Sequence, residues 1–273
     1  MGVIEDFPIV HLGAADAEAA LVLSTEALWD QTAEDWRFFL VQGDTFGIRD
    51  ASQLIASAAL LPYSDGQAWI GMVLVTAAWR RRGLAKRLLA VCLDKARERD
   101  LTCWLDATPA GALVYGPLGF EPTVELARLS LSGRRRSADA PCAVSTIDAL
   151  IAREREAIGF DRGALLQDFA RRPGSRVVSS GESITLIRDG RTSRHIGPIY
   201  ADSADHALRL VEAIAHTERT PLLIDAVACQ KTFLEGLIDT GWCVERPFQR
   251  MRSGHAAVVQ KEMPFAVAGP EFG

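Results

Sequence analysis

The sequence predicts an α/β chain built as two tandem domains, and three observations carry that expectation. The run Trp69-Ile-Gly-Met-Val-Leu-Val75 has the density of β-branched and large apolar residues of a strand buried on both faces, and from Leu84 onward the apolar period becomes that of a helix. The second half then repeats landmarks of the first: Ile70-Gly71 has an echo in Ile196-Gly197, Leu105-Asp106-Ala107 in Ile224-Asp225-Ala226, and Gly119-Phe120-Glu-Pro122 in Gly241-Trp242 with the later Arg246-Pro247. Between the halves, residues 132–143 are rich in Ser, Gly, Arg, Ala and Pro and have little periodicity, as a linker does. The expected division is therefore 1–131, a linker over 132–143, and 144–273. A chain of 273 residues is long enough to give each domain its own core.

Taken in order, Ile9-Val-His-Leu12 reads as a first strand, and Ala14 to Leu28 as a helix with Ala17, Ala20, Leu21 and Leu28 on its apolar face. Thr32 followed by Asp35 is an approximate capping box that opens a second helix running to about Leu40. Thr45–Ile48 and Gln53–Leu61 form a hairpin across Arg49-Asp50-Ala51-Ser52, and Pro62 with Asp65-Gly66 makes the next turn. The strand ending at Val75 follows. In the helix after it, Leu84, Ala85, Leu88, Leu89, Cys92 and Ala96 share one stripe while Lys86, Arg87, Asp94, Lys95, Arg97 and Glu98 take the other side. Asp100 ends that helix, Thr102-Cys-Trp-Leu105 is another buried strand, and Pro109 suits the first turn of the helix that carries Tyr115. Gly119-Phe120 returns the chain to strand structure from Glu121 to Leu131.

Where the strand hands over to the helix stands Arg80-Arg-Arg-Gly83, and there the first helical N–H groups lack partners. A glycine that lets the backbone approach a ligand, beside three arginines, suits a phosphate or pyrophosphate. The segment is not a P-loop, since no Gly-Lys-Ser/Thr follows, nor a dinucleotide fingerprint, since it has a single Gly. The spacing Arg80-x-x-Gly83-x-Ala85, five residues after a strand end, resembles the acyl-CoA motif of the GNAT superfamily of N-acyltransferases. Downstream, Leu113-Val-Tyr115-Gly-Pro-Leu-Gly119-Phe120 looks like that family's Leu-Tyr-x-x-x-Gly-Phe box.

The resemblance implies two GNAT-like domains, each a mixed, mostly antiparallel sheet flanked by helices, whose central strands splay to receive an acyl-thioester. It is good over about residues 40–125 and only topological over 144–255. In the second half the interval from Gly197 to Asp225 is 28 residues against 35 from Gly71 to Asp106, and the Arg-rich loop is what is missing. Asp202 and Asp205 stand there and would repel a pyrophosphate, and Leu237 stands where Tyr115 does in the first half. The arrangement is similar to a two-domain bacterial subgroup whose second domain is degenerate.

By the same resemblance, the main chain over Val73, Leu74 and Val75 pairs with the pantetheine of acetyl-CoA, and the backbone of Arg80, Arg81, Arg82, Gly83, Leu84, Ala85 and Lys86 takes the pyrophosphate. Tyr115 is the candidate acid for the departing thiolate, because an unperturbed phenol near pKa 10 keeps its proton at neutral pH; a packing role for the ring is the alternative. Thr108 stands where many relatives have an Asn that supports the pantetheine. Trp29, Asp30 and Trp36, at the joint of the first two helices, are candidates for the acceptor side, and they equally suit core and turn positions. No general base is evident: Asp106 and Asp30 are candidates alongside a water chain, and Asp106 equally suits capping of the next turn. The expected activity is transfer of an acetyl group to a primary amine of a small molecule by direct attack. The alternative is a non-catalytic acyl-CoA-binding protein.

Composition excludes other classes. A net charge of -5 gives no overall basic field for nucleic acid, and the arginine runs at 80–82 and 134–136 are local. No apolar run approaches the ~20 residues of a membrane span, and no signal core is evident at the N-terminus. Five Cys without a C-x-x-C pair suggest reduced thiols in a cytoplasmic protein, with Cys92 and Cys103 buried and inert. The five His are scattered without metal-ligand spacing, so no metal is expected. Monomer and homodimer both remain open.

Overall fold

The computed structural model describes residues 7–132, 142–254 and 260–273, so most of the expected linker, 133–141, lies outside the described residues. The chain divides into two compact units, one of Met1–Leu105 with 252–256 and Phe272, the other of Asp106–Met251 with 257–271 and Gly273.

The first unit contains β1 (Ile9–His11), α1 (Ala17–Glu26), α2 (Ala33–Gln42), β2 (Asp44–Asp50), β3 (Gln53–Pro62), β4 (Gln67–Val75), α3 (Leu84–Glu98) and the start of β5 (Thr102–Ala107). Its strands lie in the order β1-β2-β3-β4-β5, antiparallel except for the β4–β5 pair. β3 is buried from Leu54 to Leu61, because α1 and α2 pack on it and so does α3; its Ala56-Ser-Ala-Ala59 stretch keeps the side chains small under those helices. The expected stripe of α3 is the buried one, with Leu88, Leu89 and Cys92 fully covered. The Thr32 capping box is formed as expected: Asp35 N–H donates to the Thr32 hydroxyl, and Thr32 N–H donates to the Asp35 carboxylate at 2.8 Å.

One expectation fails in α1. The helix stops at Glu26, two residues early, and Leu28 is 83% exposed instead of lying on the apolar face. Leu28 N–H bonds to Thr25 O, Trp29 N–H bonds to Ser24 O, and Leu28 has φ +58°. That is the Schellman termination, with leucine in the left-handed position that usually holds glycine.

The second unit contains α4 (Pro109–Tyr115), β6 (Glu121–Leu131), β7 (Ala143–Val144), α5 (Ile147–Ile158), α6 (Gly163–Arg171), β8 (Arg176–Ser180), β9 (Ser183–Asp189), β10 (Arg194–Tyr200), α7 (Ala204–Thr217), β11 (Leu222–Val227), α8 (Lys231–Asp239) and β12 (Cys243–Ser253), the last through Met251. Its strand order is β12-β6-β11-β10-β9-β8-β7. β10 and β11 run parallel, whereas β6 pairs antiparallel with β11 from Leu131↔Leu222 to Leu126↔Val227. So the strand that follows the first half's Gly119-Phe120 lies beside the second half's Ile224-Asp225-Ala226. In the core, Leu129, Ile199, Leu210, Ile224, Phe233 and Leu237 pack together, and Phe265 and Ala266 join them from the segment after β12.

Among the described residues no helix is long and apolar enough to cross a membrane.

Candidate active site

β4 is the element that makes a cleft in the first unit. It is laddered to β5 only over Gln67↔Thr102, Ala68↔Cys103 and Trp69↔Trp104. Among the described residues that edge of β4 has no strand partner beyond Trp69, so Ile70 to Val75 present main-chain groups to whatever enters. On the other side the ladder with β3 slips: Gly71 faces Ala59 and Leu74 faces Ser57, leaving Met72 and Val73 opposite Ala58 alone. This is a β-bulge, which locally turns the peptide planes away from the ladder. Met72 carries the strain, at φ +54°, and the Ser57 hydroxyl holds its carbonyl at 2.8 Å. Val73 and Val75 are half-buried where the sequence led us to expect full burial, because the edge is open.

After Val75 the chain makes a single 3-10 turn, Ala77–Trp79, and reaches α3 through two left-handed residues, Arg81 (φ +61°) and Gly83 (φ +81°). Gly83 is the residue before the helix and offers no capping side chain, and the first turn holds no acid. No acid of the helix's own first turn therefore offsets the positive end formed by the N-terminal N–H groups of α3, at Leu84, Ala85 and Lys86. A Cβ built on Gly83 meets nothing within 4 Å, so the space above this turn is open. Arg80, Arg81 and Arg82 are exposed. The Arg80 Nε donates to Val75 O at 3.0 Å, which bends that guanidinium back over the end of β4, and Arg82 stacks on Trp79 at 4.7 Å.

Glu26, at the end of α1, was not singled out from the sequence. Its carboxylate accepts the Ala77 N–H at 2.6 Å and fixes the start of the turn. That backbone bond, then the Thr76 hydroxyl and the charge of Arg80, hold the carboxyl below its ordinary pKa. No local sequence signal marks a contact spanning 51 residues.

At the α1–α2 joint, Trp36 is fully buried and its indole N–H donates to the Ser24 hydroxyl at 3.0 Å, which ties α2 to α1. Asp30 is 6% exposed and Trp29 half-buried.

In the second unit, Thr108 is the N-cap of α4: its hydroxyl oxygen accepts from Gly111 N–H at 3.2 Å, leaving its own proton free to donate. The Tyr115 ring folds back over Gly111, where an added Cβ would lie 3.0 Å from Cε2, and stands 6.0 Å from the Phe120 ring. Glycine four residues before the tyrosine is thus what makes room for it, a spacing the sequence does display. Burial pushes the phenol up to about 12.

Asp106 does not have the free carboxylate of a base. Its side chain is fully buried, and Arg250 grips both oxygens at 2.8 Å from Nε and Nη2. Burial pushes the carboxyl above its ordinary range against the pull of that guanidinium. Its repeat counterpart, Asp225, is gripped the same way by Arg128, at 2.8 and 2.9 Å. Here burial pushes up, and the Arg128 charge outweighs it, holding the carboxyl low. Arg128 lies nine residues after Gly119, and Arg250 nine after Gly241.

Cys92 and Cys103 are buried, and desolvation raises both thiols, Cys103 to about 12, so neither is a ready nucleophile. Among the described residues no cluster of three His, Cys, Asp or Glu is placed to hold a metal.

Comparison with known proteins agrees with this architecture. The model of the acetyltransferase (GNAT) family matches residues 15–120, and that of an acetyltransferase (GNAT) domain matches 150–264. The chain is 28% identical over 261 residues to the holothin acyltransferase of Pseudoalteromonas sp., covering 90% of this chain and 87% of that one. It is 24% identical over 254 residues to the uncharacterized N-acetyltransferase YitH of Bacillus subtilis, covering 89% of each. Among solved structures, one from Pyrococcus horikoshii superposes with a TM-score of 0.83 at 21% identity, covering 100% of this chain and 98% of its own. A tandem GNAT protein from the clavulanic acid biosynthesis pathway superposes with a TM-score of 0.63 at 15% identity, covering 91% and 98%.

Proposed function

Because the chain belongs to the GNAT superfamily of acyltransferases and carries two GNAT domains in tandem, we propose that it moves an acetyl group from acetyl-CoA to a primary amine of a small molecule. The observation that carries the proposal is the open, bulged edge of β4 leading through an uncapped, arginine-rich turn into α3.

In this reading the pantetheine pairs with the main chain over Val73, Leu74 and Val75, and the pyrophosphate rests on the N–H groups that begin α3, with Arg80, Arg81, Arg82 and Lys86 beside it. Val75 O already accepts from Arg80, so the ligand's bonds fall mainly on Val73. The bulge at Met72 frees main-chain donors for the thioester oxygen as it gains charge. The amine nitrogen attacks the thioester carbon, the tetrahedral intermediate collapses, and the C–S bond breaks. Tyr115 donates a hydrogen bond from its O–H to the departing sulfur, which takes its proton from water as the amine gives one up to water, and Thr108 donates to the pantetheine. Asp106 takes no proton, since both its oxygens are held by Arg250. Trp29 and Asp30 belong to the acceptor side, with Trp36 behind them as the fastener of the two helices.

The relatives named as acyl- and N-acetyltransferases support the reaction class. The test is a thiol-release assay with acetyl-CoA and a panel of small amines, with products checked by mass. Amine-dependent thiol release and an acetylated amine are expected. Thiol release at the same slow rate with and without every amine would overturn the proposal.

A further inference from the structure

The second copy keeps the cleft and fills it with its own chain. β10 and β11 are laddered only at Arg194↔Leu222 and His195↔Leu223 and then part, as β4 and β5 do. β10 also carries the same bulge: Ile196 faces Ile187 and Ile199 faces Thr185, so Gly197 and Pro198 stand opposite Leu186 alone. The Thr185 hydroxyl holds the Pro198 carbonyl at 2.9 Å, as Ser57 holds that of Met72.

Into this gap runs the segment 264–268, buried at every residue. It bonds to both parted strands. Ile199 N–H donates to Ala266 O at 3.0 Å and Phe265 N–H to Ile199 O at 2.9 Å; on the other side, Val227 N–H donates to Phe265 O and Val267 N–H to Asp225 O, each at 3.0 Å. By the repeat, Ile199 stands where Val73 stands, the residue whose main chain is assigned to pantetheine. Gly197 permits the approach: a Cβ there would lie 2.2 Å from the Val267 carbonyl oxygen. Buried Arg188 fastens the segment by donating to Ala268 O at 3.1 Å.

The other half of the cofactor site is self-satisfied too. α7 begins with Ser203, whose hydroxyl accepts from His206 N–H, and Asp205 sits in its first turn, whereas α3 has neither a side-chain cap nor an acid. The remaining mouth, an open cavity of about 450 Å3 lined by Arg153, Ala201, Asp202, Gln230 and Glu262 among others, has its arginine already paired to Glu262.

We infer that the second copy is a peptide-strand site whose resident ligand is residues 264–268, held by β-augmentation in the slot that the first copy leaves open for the acyl thioester. It deepens the proposed function only in comparing the two slots, and the strand bonds stand whether or not the first copy transfers acetyl groups.

The test is amide hydrogen exchange on the full chain. In the unsubstituted protein, Ile199, Val227, Phe265 and Val267 should be protected to the same degree as the β9–β10 ladder. Gly197→Ala, acting from the slot, and Val267→Pro, acting from the segment, should each speed exchange at the remaining members of that set together by at least tenfold. Leu74 and Val75 should stay unchanged, and Gly13→Ala, where nothing lies within 4 Å, should alter neither group. Calorimetric titration with CoA should still give one site per chain in both variants. Unprotected amides in the unsubstituted chain, an effect confined to the substituted residue, or a second CoA in either variant would each overturn the assignment.

Discussion

Replacing Tyr115 by Phe removes one O–H and keeps the ring over Gly111 and beside Phe120. Burial pushes the phenol up to about 12, while a thiol ordinarily ionises near 8.5. Complete transfer from that phenol to a thiolate is thus uphill by roughly 5 kcal/mol at 1.36 kcal/mol per pKa unit. Tyr115 then acts as a hydrogen-bond donor to sulfur as the charge develops, and water completes the protonation. Losing a hydrogen bond to a charged group costs about 1.5–3 kcal/mol, or about 10- to 150-fold in kcat. KM for acetyl-CoA should change less than about threefold. Stability should move by about 0.5 kcal/mol or less, since among the described residues no protein group bonds the phenol oxygen. The assay is steady-state thiol release from pH 6 to 10, alongside urea denaturation. Because the phenol stays protonated until about pH 12, the ratio of wild-type to Tyr115→Phe rates should be flat across that range. A variant with wild-type kcat, or a ratio that collapses near pH 8–9, would refute this reasoning.

Three further outcomes are expected. Leu28→Gly should stabilise the protein by about 1 kcal/mol in urea melts, because it relieves a left-handed residue whose side chain is 83% exposed. Arg128→Ala should cost about 3–5 kcal/mol, since it leaves Asp225 buried and uncompensated; combining Arg128→Leu with Asp225→Leu should recover most of that loss. Glu26→Gln should destabilise at neutral pH and lose its effect in acid. The folded carboxyl has a lowered pKa, so its contribution is present above the unfolded value and disappears as pH falls through the folded one; a Glu26→Gln deficit that persisted at pH 2–3 would contradict the ion's role.

What the sequence disclosed was what is local. Arg80-x-x-Gly83-x-Ala85, the stripe of α3 and the Thr32–Asp35 box each depend on residues within one or two turns, and each stands where the spacing put it. What it concealed depends on distant partners. Asp106 read as a possible base because Arg250, which takes both its oxygens, is 144 residues away. The bulge at Met72 needs the β3 register, and the Glu26 tie needs the turn brought to the end of α1. The absence of the arginine-rich loop from the second copy was legible in its sequence, but the segment that lies between β10 and β11 was not. Phe265-Ala-Val267 is too short to announce a strand, and it pairs only through isolated bridges from Ala266 to Ile199 and to Ala226.

The central claim is that the first copy alone holds the acyl donor, through the turn at Gly83. Calorimetric titration of the full chain with CoA measures this most directly, with Gly83→Ala and Gly83→Glu as companions. About one CoA per chain is expected. Gly83→Ala, whose Cβ meets open space, should keep binding within about tenfold despite the strain of φ +81°, and Gly83→Glu, which brings a carboxylate to the anion site, should abolish it. Two CoA per chain, or Gly83→Glu binding as tightly as wild type, would contradict the claim.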